Sequence, residues 1–340
     1  MIDLLNVQRK LLPDLLEVMK KRYEILRQIH ILQPVGRRAL TQVLQTTERV
    51  LRAEVDFLRS QGLVEIATIG MRLTEEGVEL LKLLEQSMSE LLGLSDLEAQ
   101  LTKLLHINRV IVLPGDSDRS EAVKTALGRA AGHLLMELVG SEKKVIAVTG
   151  GSTMRAIAET MTPSARLKRA LFLPARGGVG ESARKEANFV VTLLAERAGG
   201  SYRLFHVPEQ LSESAYLALA DEPKIRDTLA MLQQADIVVY GIGEAKKMAV
   251  RRESTREVLK ILDEAHAVGE SFGYYFDKHG KIVHRVQTIG LDIKDLPSIP
   301  HKIAVAGGAS KAEAIQAIGA LFPQDILITD EAAAKKILNI

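Results

Sequence analysis

The chain has 340 residues, 46% hydrophobic and 26% charged, with a formal net charge of +2 and no cysteine. That length and composition suit two ordinary globular domains. They exclude a disulfide framework and a thiolate metal site; the 8 histidines show no H-x-x-x-H spacing, so no metal or other resident cofactor is expected.

No apolar run approaches the roughly 20 residues of a membrane span. The N-terminal residues lack the basic and apolar regions of a signal peptide, so a cytoplasmic protein without a membrane partner is expected.

In chain order, residues 3–12 read as a short amphipathic helix. Pro13 suits the first turn of a second helix, in which Leu15, Leu16, Val18, Met19, Tyr23, Leu26 and Ile29 recur at helical spacing up to residue 32. Pro34-Val35-Gly36 interrupts it. A helix fits Arg37–Leu44, and another fits 48–61, with Val50, Leu51, Val55 and Leu58 expected to pack inward. Gly62 is a plausible cap. Two short strands at 63–66 and 71–73 form a hairpin, and a further helix opens at Thr74 and runs to about residue 92.

Helix, short helix, helix, hairpin, helix is the order of a winged helix-turn-helix, whose helix after the turn enters the major groove. The charge agrees. Residues 20–59 carry nine Lys/Arg and four acids, an excess of +5, so the remaining chain is net −3. A basic segment on a mildly acidic body points to nucleic acid; a solvated helix face on a docking module is the plainer alternative. The candidate DNA-facing residues are Thr47, Arg49 and Arg52 on the third helix, Arg37 and Arg38 at the start of the preceding one, and Arg72 on the hairpin.

Residues 1–92 are therefore expected to form the DNA-binding domain and residues 93–340 a second domain. Beyond the junction, apolar strand runs at 109–113, 145–149, 170–174, 203–207, 236–240, 302–306 and 325–329 alternate with helical stretches such as 120–138, 181–198 and 311–321. Such alternation predicts a doubly wound α/β fold with a mainly parallel sheet. Residues 273–284 read as an inserted hairpin turning at Lys278-His279-Gly280.

Three strands end in Gly-Gly pairs: Val145-Ile-Ala-Val-Thr-Gly-Gly-Ser-Thr153, Ala170-Leu-Phe-Leu-Pro-Ala-Arg-Gly-Gly178 and Lys302-Ile-Ala-Val-Ala-Gly-Gly-Ala-Ser-Lys311. Bare backbone at a strand end, followed by a helix N-terminus, favours an anion. Gly150, Gly151, Ser152 and Thr153 supply amides and hydroxyls, although a capped tight turn would look the same. The loop is neither a Walker A motif nor a G-x-G-x-x-G fingerprint. Lys311 opposes the dipole of its own helix, which suggests an anionic partner, with a solvent-facing lysine as the alternative. Arg176 beside Gly177 and Gly178 could grip a phosphate in bidentate fashion. One of Arg251 and Arg252, beyond the strand-end loop Gly241-Ile-Gly-Glu244, could clamp a ligand, and Glu270 could bond sugar hydroxyls. As general bases, Asp116, Asp118, Asp236, Glu244, Glu270 and His301 are available, but none lies in a motif that fixes its role. Binding fits this sequence better than turnover.

With Gly115-Asp-Ser-Asp118, the Gly loops and the helix-turn-helix in this order, the chain resembles the SorC family of bacterial transcriptional regulators over nearly its whole length. The resemblance implies a C-terminal domain similar to the sugar-phosphate isomerase and glucosamine-6-phosphate deaminase fold, with catalysis lost. It implies a repressor on operator DNA, acting as a homo-dimer or tetramer on paired half-sites. Its effector would be a phosphorylated sugar, for glycolytic members fructose-1,6-bisphosphate. Carried over by motif, Gly150, Gly151, Ser152, Thr153 and Lys311 would hold one phosphate, Arg176 and Arg251 the other, and Glu270 the sugar. Ser152 stands where the resemblance leads one to expect Thr. The alternatives are a sugar-phosphate isomerase or deaminase with an N-terminal extension, or an oligomerising protein whose Gly loops are only turns.

Overall fold

The computed structural model describes residues 11–340 except 45, 92, 141, 178–185, 209, 210 and 323. The expected helix at 3–12 and the residue Gly178 therefore lie almost wholly or wholly outside the described residues. The chain divides into two compact units, 1–96 and 97–340.

The first unit begins with α1 (Pro13–Leu32), with Pro13 in its first turn. Helix α2 (Arg37–Leu44) and α3 (Glu48–Ser60) follow, then an antiparallel hairpin of β1 (Val64–Ala67) and β2 (Gly70–Leu73), then α4 (Glu75–Leu91). This is the winged-helix order read from the sequence. Val35, between α1 and α2, bridges Met71 and ties the helices to the hairpin. On α3, Leu51, Val55 and Leu58 repeat at helical spacing and are buried among Ile29, Leu40 and Met71. Val50 does not join them as expected: it is 38% exposed. It lies one residue off the buried stripe, on the side of the helix that also exposes Phe57, whose ring carries the Arg22 guanidinium 3.6 Å above its centre.

In the second unit the sheet order is β3-β13-β12-β7-β4-β5-β6. The strands are β3 (Arg109–Leu113), β4 (Val145–Val148), β5 (Leu171–Pro174), β6 (Ser201–Tyr202), β7 (Ile237–Tyr240), β12 (His301–Val305) and β13 (Ile326–Asp330), and every pairing is parallel. Ile146, Val148, Ile237, Val239, Ile303, Val305 and Ile328 form one buried face, and Ala147, Val238, Ala304 and Leu327 are buried on the other. Strands covered on both faces must be apolar throughout, which is why they read as continuous runs. Helix α5 (Leu94–Leu105) precedes β3, α6 (Glu121–Val139) follows it, and α7 (Ser152–Thr160) and α8 (Ala187–Ala198) make the crossovers around β5.

The expected strand at 203–207 is not formed. The edge strand is the two-residue β6, and the Asn188 side chain holds both the N–H and the C=O of Phe205 at 2.8 and 3.1 Å, so side-chain bonds replace the ladder there. After β6 come α9 (Glu213–Ala220) and α10 (Pro223–Gln233). The hairpin at 273–284 is present as β10 (Tyr274–Phe276) and β11 (Ile282–Arg285). It extends through β9 (Gly269–Ser271) to β8 (Gly243–Glu244) as a separate four-stranded sheet. Helices α11 (Ala245–Arg251) and α12 (Arg256–Glu264) lie between β8 and β9 in sequence; α13 (Ala312–Leu321) and α14 (Glu331–Leu338) flank β13.

After β4 the chain moves outward to β5 and β6, then returns to β7 on the other side of β4. That reversal opens a crevice at the carboxyl ends of β4 and β7, where an open α/β sheet receives ligands.

Candidate functional site: strand-end loops and a basic winged helix

Two of the three expected anion loops, after β4 and β12, flank the Gly241 loop after β7. The carboxyl ends of β4, β7 and β12, three consecutive strands, lead into Gly150-Gly151, Gly241 and Gly307-Gly308 respectively. Thr149 links two of them: its N–H donates to Val239 O at 3.0 Å and its hydroxyl accepts from Gly241 N–H at 3.3 Å. Gly151 begins α7 with φ 123 and ψ 166, a conformation open to glycine, and no side chain caps the helix. The first amides of α7 thus have no internal acceptor. Thr153 is buried and Ser152 exposed beside them.

The Gly307–Lys311 turn is held from below by Asp330, which is fully buried at the end of β13. Its Oδ2 accepts from Gly308 N–H at 2.6 Å and Ser117 N–H at 2.8 Å, and its Oδ1 from Ala333 N–H at 2.9 Å. Burial pushes the Lys311 ammonium below its ordinary pKa; Asp118 and Asp330 oppose that shift, while Lys124 and Lys247 add to it. Among the described residues Lys311 forms no ion pair.

A second cluster lies around Glu270 on β9. Its Oε1 accepts from Gly273 N–H at 2.7 Å and from Arg252 Nη2 at 3.0 Å, with Arg176 Nη1 3.7 Å away. Arg176 follows β5 and bridges Gly290 through the backbone. Arg252 also donates to the Tyr275 hydroxyl at 3.1 Å. Arg251, the last residue of α11, is exposed, so the arginine brought to Glu270 and Arg176 is its neighbour. The sequence alone leaves the choice between the two open, and the family resemblance selects Arg251. Local spacing carries no signal for Asp330, Lys124 and Lys247, and fixes no role for Asp118: Asp118 meets Ser310 across 192 residues of chain and Asp330 meets Ser117 across 213, while Lys124 and Lys247 reach Lys311 only through the fold.

In the first unit, Thr47 caps α3 by accepting from Val50 N–H at 3.4 Å. Arg38, Arg49, Arg52 and Arg72 are exposed and Arg37 is partly buried. Lys21 and Arg22 are engaged by Glu54, and Arg27 by Glu24. Arg52 lies 3.8 Å from Asp56. Among the described residues Arg37, Arg38, Arg49 and Arg72 form no ion pair, which leaves their charge for a polyanion. None of the described helices is long and apolar enough to cross a membrane.

Two family models match in tandem: the CggR N-terminal DNA binding domain over residues 18–88 and a sugar-binding domain over residues 89–339. The central glycolytic genes regulator of Bacillus subtilis (strain 168) is 49% identical over 339 residues, covering 100% of this chain and 99% of that protein. The chain belongs to the SorC family of transcriptional regulators. A SorC family regulator from Enterococcus faecalis is 43% identical with TM-score 0.67 over 72% of this chain and 99% of that one. The full-length sorbitol operon regulator SorC from Klebsiella pneumoniae shares the fold at TM-score 0.66 and 17% identity, over 94% of this chain and 98% of that one. This SorC regulator pairs a DNA-binding domain with a sugar-binding domain, and the enzyme reading falls with that assignment.

Proposed function

We propose that this SorC regulator represses glycolytic genes and is released from its operator by a phosphorylated sugar, fructose-1,6-bisphosphate. The supporting observation is the row of glycine turns at the carboxyl ends of β4, β7 and β12, with Lys311, partly buried and in no ion pair among the described residues, beside one of them. A phosphate satisfies both the amides and the cation. The relatives named as central glycolytic genes regulators, 49% and 48% identical, favour that gene set.

In this reading Gly150, Gly151, Ser152, Thr153 and Lys311 hold one phosphate. Arg176 and Arg251 serve the other, and Glu270 meets sugar hydroxyls while Arg252 fixes its carboxylate. Thr47, Arg49 and Arg52 read bases, and Arg37, Arg38 and Arg72 hold phosphates of the DNA. A homo-dimer or tetramer places two such modules on paired half-sites, and the effector alters their fit through a coupling of typically about 1–3 kcal/mol.

The test is a thermal-shift screen of glycolytic phosphosugars on the full chain, repeated with operator DNA. A ligand at 100 times its Kd adds about 2.7 kcal/mol to the stability of the domain that binds it. The bisphosphate is expected to raise the melting temperature and to bind less tightly when operator is present. No shift with any phosphosugar overturns the reading.

A further inference from the structure

The Gly307–Lys311 turn already holds an anion, and the protein supplies it. Asp118, from the loop between β3 and α6, reaches a turn 192 residues away in sequence. Its Oδ2 accepts from Ser310 N–H at 2.7 Å and its Oδ1 from the Ser310 hydroxyl at 2.9 Å. A carbon added to Gly308 would meet Cγ and Oδ1 of Asp118 at 2.5 Å, so the carboxylate fills the space over the glycine turn. The turn leads directly into α13, where free N–H groups and the helix dipole favour negative charge.

The two carboxylates at this turn differ in kind. Asp330 is fully buried and bonded to three backbone amides from the two loops and from α14; removing it would leave those donors unpaired. Asp118 is exposed, bonds only the outer side of the turn, and can rotate into water without stranding a buried charge. Lys311 supplies an independent sign that Asp118 does not complete the site. Its ammonium is desolvated, the positive charges of Lys124 and Lys247 reach it, and Asp118 acts on it without forming an ion pair. A single carboxylate thus satisfies the Ser310 donors and leaves the lysine without a contact partner among the described residues. A phosphate, with three terminal oxygens and nearly two charges, can serve both.

We propose that Asp118 is an internal competitor for the phosphate seat, and that the effector's phosphate binds the Ser310 amide and hydroxyl by displacing its carboxylate. The inference rests on the reading above that this turn receives a phosphate. The competing contact lowers the apparent affinity for the effector, so Asp118 sets the concentration at which the regulator responds. It also ties the seat to the loop of Gly115 to Arg119, which continues from β3 and which Gly115 and Ser117 fasten to Glu331 and Asp330.

Isothermal titration of the full chain with fructose-1,6-bisphosphate and with inorganic phosphate tests this, comparing wild type with Asp118→Ala and Asp118→Asn. Asn keeps the shape and a hydrogen-bonding oxygen, which guards against a folding defect in the alanine variant. Both variants are expected to bind the bisphosphate about tenfold tighter, since one charge-assisted contact no longer has to be broken. Inorganic phosphate is expected to compete better in the variants than in wild type. Equal or weaker binding by the variants overturns the inference and leaves the effector reading intact, provided wild type binds. Binding of phosphate by the variants, with no bisphosphate bound by wild type, supports the inference and overturns that choice of effector. Absence of binding in all three proteins overturns both.

Discussion

Nη2 of Arg252 lies 3.0 Å from Oε1 of Glu270, and the two side chains are only 6% and 5% exposed. Its sequence neighbour Arg251 is exposed. On the proposed reading, Arg252 has a structural role and Arg251 a ligand-facing one. Arg252→Ala removes a partner from a buried pair, a change that typically costs about 3–5 kcal/mol. Arg176 and the Gly273 amide remain near Glu270 and keep the loss toward the lower end. Arg251→Ala is expected to leave stability within about 0.5 kcal/mol of wild type, while raising the phosphosugar concentration needed for operator release. Chemical denaturation of the full chain and an induction assay check both statements. Equal destabilisation by the two variants would contradict the division of roles.

The same pair marks where the sequence ceases to be informative. Six of the seven main strands are legible because a parallel strand covered on both faces must be apolar throughout, as in Ile237–Tyr240. The Gly-Gly pairs at 150–151 and 307–308 are legible because such strand-end turns need glycine: Gly151 has φ 123 and Gly308 φ 99. Which of two adjacent arginines turns inward depends on where α11 ends, and a shift of one residue changes the direction by about a third of a helical turn. Val50 went astray for the same reason, one position off the stripe of Leu51, Val55 and Leu58. The segment at 203–207 carries the apolar residues of a strand, but the Asn188 side chain takes the bonds of Phe205. Asp118 and Asp330 act on Ser310 and Gly308 through contacts that only the folded sheet creates.

Glu54 gives the DNA-binding unit a defined response to acid. Burial alone would raise its pKa, but hydrogen bonds and charge from Arg22 and Lys21 outweigh burial and hold the carboxyl below its ordinary value of 4.5. A folded-state pKa below the unfolded one means that the stabilisation is complete above the ordinary value. It is lost as pH falls through the lowered one. Glu54→Gln is expected to destabilise the unit by about 1 kcal/mol at neutral pH, a modest figure because Lys21 is 42% and Arg22 32% exposed to solvent. The gap between wild type and variant should close from about pH 5 downward and shrink in high salt. Urea unfolding followed by circular dichroism across pH measures it; a gap that widens in acid contradicts the assignment.

The winged-helix arginines that form no ion pair among the described residues are expected to act on DNA in two distinguishable ways. Arg49, exposed on α3, should contact a base edge, so Arg49→Ala should cost about 1–3 kcal/mol and relax selectivity at one operator position. Arg38, exposed near the start of α2, should contact backbone phosphate. Arg38→Ala should weaken binding uniformly across sequences and reduce the slope of log K against log salt by about 1. Fluorescence anisotropy with operator variants over a salt series reads both. Uniform loss with unchanged selectivity for Arg49→Ala would move the base-reading role elsewhere on α3.

Gly151 tests whether the first strand-end turn is a ligand seat or only a turn. Its φ of 123 and ψ of 166 fall where residues other than glycine rarely go, yet an added methyl group would meet nothing within 4 Å. The cost of Gly151→Ala is therefore conformational, of order 1–3 kcal/mol. Gly140 offers a matched control: its φ is 60 and ψ −140, an added methyl is equally unobstructed, and it ends α6 before the amino end of β4, whereas Gly151 follows that strand's carboxyl end. Both variants should lose stability. Only Gly151→Ala should also weaken phosphosugar binding, because relaxing its backbone turns the first amides of α7 away from the crevice. Titration calorimetry beside thermal unfolding separates the two effects; equal phosphosugar affinity in both variants would show that the turn does not hold the ligand.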